Sequence, residues 1–125
     1  MGLVVDNIYW ILMVTGVITA LVGLGALRPQ KGLMDVFGST TDDPAALLVV
    51  RHWNFLVGVS GVLLIIAALH PEWRVPLLWF AIASKSSFAA LILANMRRFA
   101  GKPAVIAALA DVIMVVLYLL YLVAA

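Results

Sequence analysis

The 125-residue chain contains no cysteine, which excludes disulfides, thiolate metal sites, cysteine nucleophiles and thiol redox chemistry. Charge is scarce as well: 11% of the residues are Asp, Glu, Lys or Arg, against about a quarter in a soluble domain. A net charge of +2 is too small to imply nucleic acid as a partner. There is no phosphate-binding loop, no dinucleotide glycine fingerprint, and no HExxH helix or carboxylate cluster for a metal. What the chain has instead is apolar surface, with 66% of its residues hydrophobic. A chain this short leaves much of its surface exposed after folding, so the excess cannot be hidden in a core surrounded by water. Lipid must be the solvent for most of it. The expectation is an all-α, four-helix transmembrane bundle forming one integral membrane domain over residues 1–125.

Crossing the ~30 Å hydrocarbon layer takes about 20 apolar residues in a helix. Four stretches qualify, about 8–27, 44–69, 76–95 and 103–125. The first stops at Arg28-Pro29 and the second at His70-Pro71, because proline ends a helix. Asp43 before Pro44 reads as an N-cap with proline at the first helical position. The first stretch carries Asp6 rather than a positively charged leader and runs long, so it reads as a retained helix rather than a cleaved signal. Alternation over about ten residues, the mark of a barrel strand, is missing from these runs.

Lysine and arginine orient the bundle. Arg28, Lys31, Arg97, Arg98 and Lys102 lie in the first and third connections, and Arg74 lies on the other side. The positive-inside rule then puts both termini on the non-cytoplasmic side. Short second and third connections make neighbouring helices antiparallel. Trp10, Trp73, Trp79, Tyr118 and Tyr121 fall toward the outer side as an aromatic belt, and Trp53 marks the inner edge. Leu33, Met34, Val36 and Phe37 give the long first connection an apolar patch, which predicts a short interfacial helix before Gly38. Thr15, Thr19 and Gly23 on the first helix, and Asn54, Gly58 and Gly61 on the second, make small-residue faces for close packing.

Ionisable groups inside a span are costly and mark candidate sites. Arg51 and His52 fall at the inner boundary of the second span, where arginine reaches water along its apolar stem. Lys85 lies near the middle of the third span, about 15 Å from the inner edge at ~1.5 Å per residue. Asp111, the only carboxylate within a span, lies about 12 Å from the same edge. Depth favours an Asp111–Lys85 pair. Side-chain direction favours Asp111–Arg51, since helical side chains lean toward their own N-terminus. The sequence leaves both open. Asp111, Met114, Tyr118 and Tyr121 share one side of the fourth helix, as Lys85, Phe88, Ile92 and Asn95 do on the third. Facing one another, these sides would either line a cavity or pack shut. The candidate ligand-binding residues are therefore Lys85, Asp111, Arg51, His52, Asn54 and Tyr118. Ser84, Ser86 and Ser87 flank Lys85 but do not face it, since sequence neighbours on a helix diverge. His52 and His70 are 18 positions apart, about five turns. They would suit two separate haems, each needing a further ligand from an oligomer.

The glycine-rich first helix leads into "GLGALRPQKGLMDVFG". An Arg-led second helix then runs through a proline into a third, "RHWNFLVGVSGVLLIIAALHPEWRVPLLWFAIASK", and the last helix, "ALADVIMVVLYLLYL", carries a single aspartate. In this layout, over most of its length, the chain resembles the small bacterial four-helix membrane proteins called DoxX-like. The resemblance implies a four-helix bundle in a bacterial inner membrane, in a group some of whose members are associated with oxidoreductase complexes or quinone-linked chemistry. It carries no site residue onto this chain.

Three kinds of function follow from the polar midplane residues. The first is binding of a small hydrophobic molecule, quinone- or lipid-like, in an intramembrane polar cavity, or service as an accessory subunit of a membrane complex. The second is dimeric proton-coupled transport through Asp111. The third is an isomerase-type membrane enzyme in which Lys85 or Asp111 shuttles a proton. Its partners would be the lipid bilayer, such a ligand, and copies of itself or other membrane subunits.

Overall fold

The computed structural model describes residues 2–124. Met1 and Ala125, the outermost positions of the expected domain and last span, lie outside the described residues. Every regular element among the described residues is helical: α1 (Gly2–Asp6), α2 (Ile8–Val22), α3 (Pro29–Phe37), α4 (Pro44–Leu69), α5 (Arg74–Ala94), α6 (Met96–Phe99) and α7 (Pro103–Ala124), with single 3-10 segments at Gly23–Leu27 and Pro71–Trp73. Four stretches are long and apolar enough to cross a membrane, Ile8–Leu27, Pro44–Leu69, Pro71–Ala94 and Pro103–Ala124. They make this a multi-pass membrane protein by length and composition. Their outward surfaces agree, because Val17, Ile18, Leu21, Phe55, Val62, Leu91, Ile106 and Ile113 are all exposed. Helices suit such surroundings because each satisfies its backbone hydrogen bonds internally.

Three boundaries differ from the sequence expectation, each for a local reason. A separate short helix, α1, precedes the first span, and Asn7 at the break donates from its side chain to the Leu3 carbonyl at 2.8 Å. The first span tightens into 3-10 geometry from Gly23 to Leu27, a narrower winding that brings its backbone against α4. The third helix begins at Arg74 rather than Pro76. Pro76 falls in the first helical turn, where its missing N–H has no intrahelical acceptor to lose.

The remaining punctuation matches the residues that predicted it. The Asp43 carboxylate accepts from the Ala46 N–H at 2.9 Å, capping α4 ahead of Pro44. The first connection contains α3, which ends at Gly38 with φ 75°, and the Gly38 N–H bonds the Met34 carbonyl at 3.0 Å. That left-handed turn is glycine's to make. At the other end of α4, the Arg74 guanidinium donates to the Ala67 and Ala68 carbonyls, both at 2.8 Å. It satisfies two carbonyls of the last turn from across the 3-10 segment.

Packing divides the bundle into two close pairs. Helices α2 and α4 meet backbone to backbone: a Cβ on Gly16 would sit 2.9 Å from the Gly61 carbonyl oxygen, and one on Gly23 would sit 2.7 Å from the Gly58 Cα. Between membrane helices, close approach of this kind replaces the hydrophobic drive that lipid cannot supply. Helices α5 and α7 approach through the buried alanines Ala81, Ala89, Ala104 and Ala108. Two apolar clusters fill the interior. One contains Leu12, Leu64, Leu78, Ala81, Met114 and Tyr118, and the other contains Ala89, Ile92, Ala104 and Ala108 with Phe37, Phe88 and Phe99 against it. Phe37 and Phe99 meet edge to face at 5.6 Å, so the first and third connections share one end of the bundle.

Candidate functional site

The seam between the two apolar clusters is polar. On α5, Lys85 lies between Ala81 of one cluster and Ala89 of the other; on α7, Asp111 lies between Met114 and Ala108. Lys85 is 6% exposed, and its ammonium donates to Asp111 Oδ1 at 3.1 Å and to Thr19 Oγ1 at 2.8 Å. The Thr19 hydroxyl donates in turn to the Thr15 backbone carbonyl at 2.7 Å. Thr15 Oγ1 donates to the Ile11 carbonyl and accepts from the Tyr118 hydroxyl, both at 2.7 Å. Five side chains from three helices thus form one connected network, and no buried side-chain polar atom among the described residues lacks a partner.

The network has a mechanical consequence. Lys85 to Asp111 joins α5 to α7, and the bonds Lys85 to Thr19 and Tyr118 to Thr15 run from that pair to α2 of the other pair. Apolar surface drives little helix association in lipid, so specific polar contacts help choose which pair docks on which, and in what register. Asp111 differs from the rest. Its carboxylate engages Lys85 through Oδ1, yet 18% of its side-chain surface remains open, against 7% for Lys85. The network is more closed around Lys85 than around Asp111.

The structure decides between the two pairings left open by the sequence. Asp111 pairs with Lys85, and Arg51 is exposed at the end of the bundle that holds the first connection. Lysine's four-carbon flexible stem offsets the opposed lean of the two helices. Of the six candidate residues, Lys85, Asp111 and Tyr118 are brought together. Arg51 and His52 are exposed and stand apart from them. Asn54 is buried, but against the 3-10 segment, where a Cβ on Gly25 would lie 2.8 Å from its Oδ1. On the α5 face, Phe88 stacks on Trp53 with centroids 6.1 Å apart, and the exposed Asn95 folds back onto the Leu91 carbonyl at 2.7 Å. His70 lies beside Glu72 at 3.3 Å and stacks on Trp73.

Tyr118 corrects one expectation. Assigned to the outer aromatic belt as well as to the site, it is fully buried and serves as a helix-to-helix donor. Trp10, Trp73 and Trp79 are the exposed aromatics of that group. Sequence reasoning missed Thr15 and Thr19 as members of the site, treating their four-residue spacing as packing surface alone. That spacing does put both hydroxyls on one buried stripe, but it cannot say that a lysine and a tyrosine arrive opposite them.

The chain matches no protein-family model, no curated protein and no solved structure.

Proposed function

We infer that this is a bacterial cytoplasmic-membrane protein that binds a small hydrophobic molecule with a polar head, quinone- or lipid-like, at Lys85 and Asp111. The observation that carries the reading is the half-open ion pair. Lys85 is a buried donor held by two acceptors, and Asp111 keeps part of its side-chain surface open. A carbonyl or hydroxyl group arriving from the acyl layer would meet a donor and an acceptor there, with apolar side chains around it for the rest of the molecule. Consecutive spans alternate in direction and both termini face away from the cytoplasm, following the distribution of lysine and arginine. The DoxX-like layout is in keeping with a quinone-type ligand and with service inside a larger membrane complex.

Thermal unfolding in neutral detergent, with a short-chain benzoquinone and a long-chain fatty alcohol as probes, tests this. Ligand at 100 times its Kd stabilises the native state by about 2.7 kcal/mol. The wild type should gain a corresponding rise in Tm with at least one probe. The Lys85→Met/Asp111→Asn variant should gain none. Stabilisation that persists in that variant would place the ligand elsewhere and end the proposal.

A further inference from the structure

A second feature lies at the end of the bundle, remote from the midplane network and sharing no residue with it. An open cleft of about 600 Å³ is lined by Leu27, Arg28, Pro29, Gln30, Lys31, Pro44, Leu47, Leu48 and Arg51. Its position is set by two spans, because the first ends at Leu27 and the second begins at Pro44. It therefore sits at headgroup depth. Its walls divide by chemistry. Leu27 and Leu48 are exposed apolar side chains; Leu47, Pro29 and Pro44 extend the apolar wall, and Arg28, Lys31, Arg51 and Gln30 form the polar one.

Two of the three basic side chains that line the cleft are unpaired among the described residues. Among the described residues neither Arg28 nor Arg51 forms an ion pair, and both are exposed. Each carboxylate on the adjoining segments has a hydrogen-bond partner other than these two arginines. Asp35 pairs with Lys31 at 2.7 Å, Asp42 accepts from Gln30 at 2.8 Å, and Asp43 caps α4. The N-terminus of the nine-residue α3 opens here too. Its N-cap is Arg28, which makes no side-chain capping bond. The first-turn N–H groups of Gln30 and Lys31 have no intrahelical acceptor, and a helix start of this kind favours an anion. The start of α4, by contrast, is already closed by Asp43.

We propose that this cleft binds the headgroup phosphate of an anionic phospholipid. Arg28 and Arg51 clasp the phosphate oxygens, the first turn of α3 faces them, and an acyl chain lies along Leu27 and Leu48. Guanidinium forks suit phosphate geometry, with two parallel N–H donors to two oxygens. The bilayer delivers the phosphate and the chain together at this depth, which favours lipid over free phosphate as the source. Basic residues beside a membrane span are a general means of holding anionic lipid.

Native mass spectrometry of the full chain, released from micelles holding equal phosphatidylglycerol and phosphatidylcholine, tests the assignment. The wild type should retain phosphatidylglycerol selectively. Arg28→Gln/Arg51→Gln should lower that selectivity on the order of 30-fold, as expected for two arginine contacts, while Arg28→Lys/Arg51→Lys, which keeps the charge and loses the fork, should fall between the wild type and the glutamine variant. Both arginines are exposed, so the variants should unfold at the wild-type temperature in phosphatidylcholine alone, which separates lost binding from lost folding. Equal retention of the two lipids, or selectivity unchanged in the glutamine variant, overturns the proposal. Displacement of phosphatidylglycerol by millimolar inorganic phosphate would assign the cleft to free phosphate and overturn the lipid assignment.

Discussion

Replacing Lys85 by methionine keeps most of the stem and removes the charge, leaving Asp111 and Thr19 without their donor. At 3.1 Å, the lost attraction is roughly 5 kcal/mol at an effective dielectric of ~20. That figure has a ceiling, because the stranded carboxylate can take up a proton instead. Neutralising an ordinary carboxyl at pH 7 costs about 4 kcal/mol, from ~1.4 kcal/mol per pH unit above an intrinsic value near 3.9. Both routes agree with the about 3–5 kcal/mol measured when one partner of a buried pair is removed. The neutral bonds in the same network are much weaker, since interhelical hydrogen bonds in membranes average about 0.6 kcal/mol. Tyr118→Phe is the internal comparison. The assay is reversible unfolding in mixed micelles by SDS titration, at pH 7 and pH 5. Lys85→Met should cost about 3–4 kcal/mol at pH 7 and about 2.7 kcal/mol less at pH 5, because the carboxyl is cheaper to protonate as pH falls. Lys85→Met/Asp111→Leu should recover most of the loss, because an apolar pair replaces an ionic one at little net cost. At pH 7, a Lys85→Met deficit below ~1 kcal/mol, or a double variant as unstable as the single, would refute the argument that these charges persist at depth by holding each other.

Two further outcomes test the frame around the site. Gly16→Val places a branched side chain against the Gly61 backbone and Ile65. It should separate α2 from α4 at a cost of about 1–3 kcal/mol, with loss of proximity between spin labels at positions 20 and 57; unchanged label distances would contradict the close backbone approach. Arg74→Leu strands the Ala67 and Ala68 carbonyls and should cost about 1–3 kcal/mol, with faster amide exchange through the turn after His70. Exchange at the wild-type rate would mean that water, rather than the guanidinium, satisfies those carbonyls.

Much of the architecture was legible from local chemistry. The four spans follow from runs of about 20 apolar residues, and their ends follow from proline and charge. The Asp43 cap, the helix in the first connection and the turn at Gly38 each depend on one or two neighbouring residues, so no distant contact was needed to foresee them. The boundaries that shifted, at Gly23–Leu27 and at Arg74, did so where a helix end is shaped by what it touches. The first is drawn against α4, and the second reaches back to the carbonyls of the preceding span.

The sequence alone determined that Lys85 and Asp111 need a partner or water, because the cost of a charge in hydrocarbon depends only on burial. Which partner each found was decided by tertiary structure. Depth along the axis pointed to one pair and side-chain lean to another, and the choice turns on helix rotation and separation, which a hydropathy pattern does not encode. The same holds for Thr15, Thr19 and Tyr118. Hydroxyls on a span are compatible with packing, with solvating a cavity or with bonding to their own backbone. Only when α2 meets α5 and α7 do they become a single network joining the two halves of the bundle.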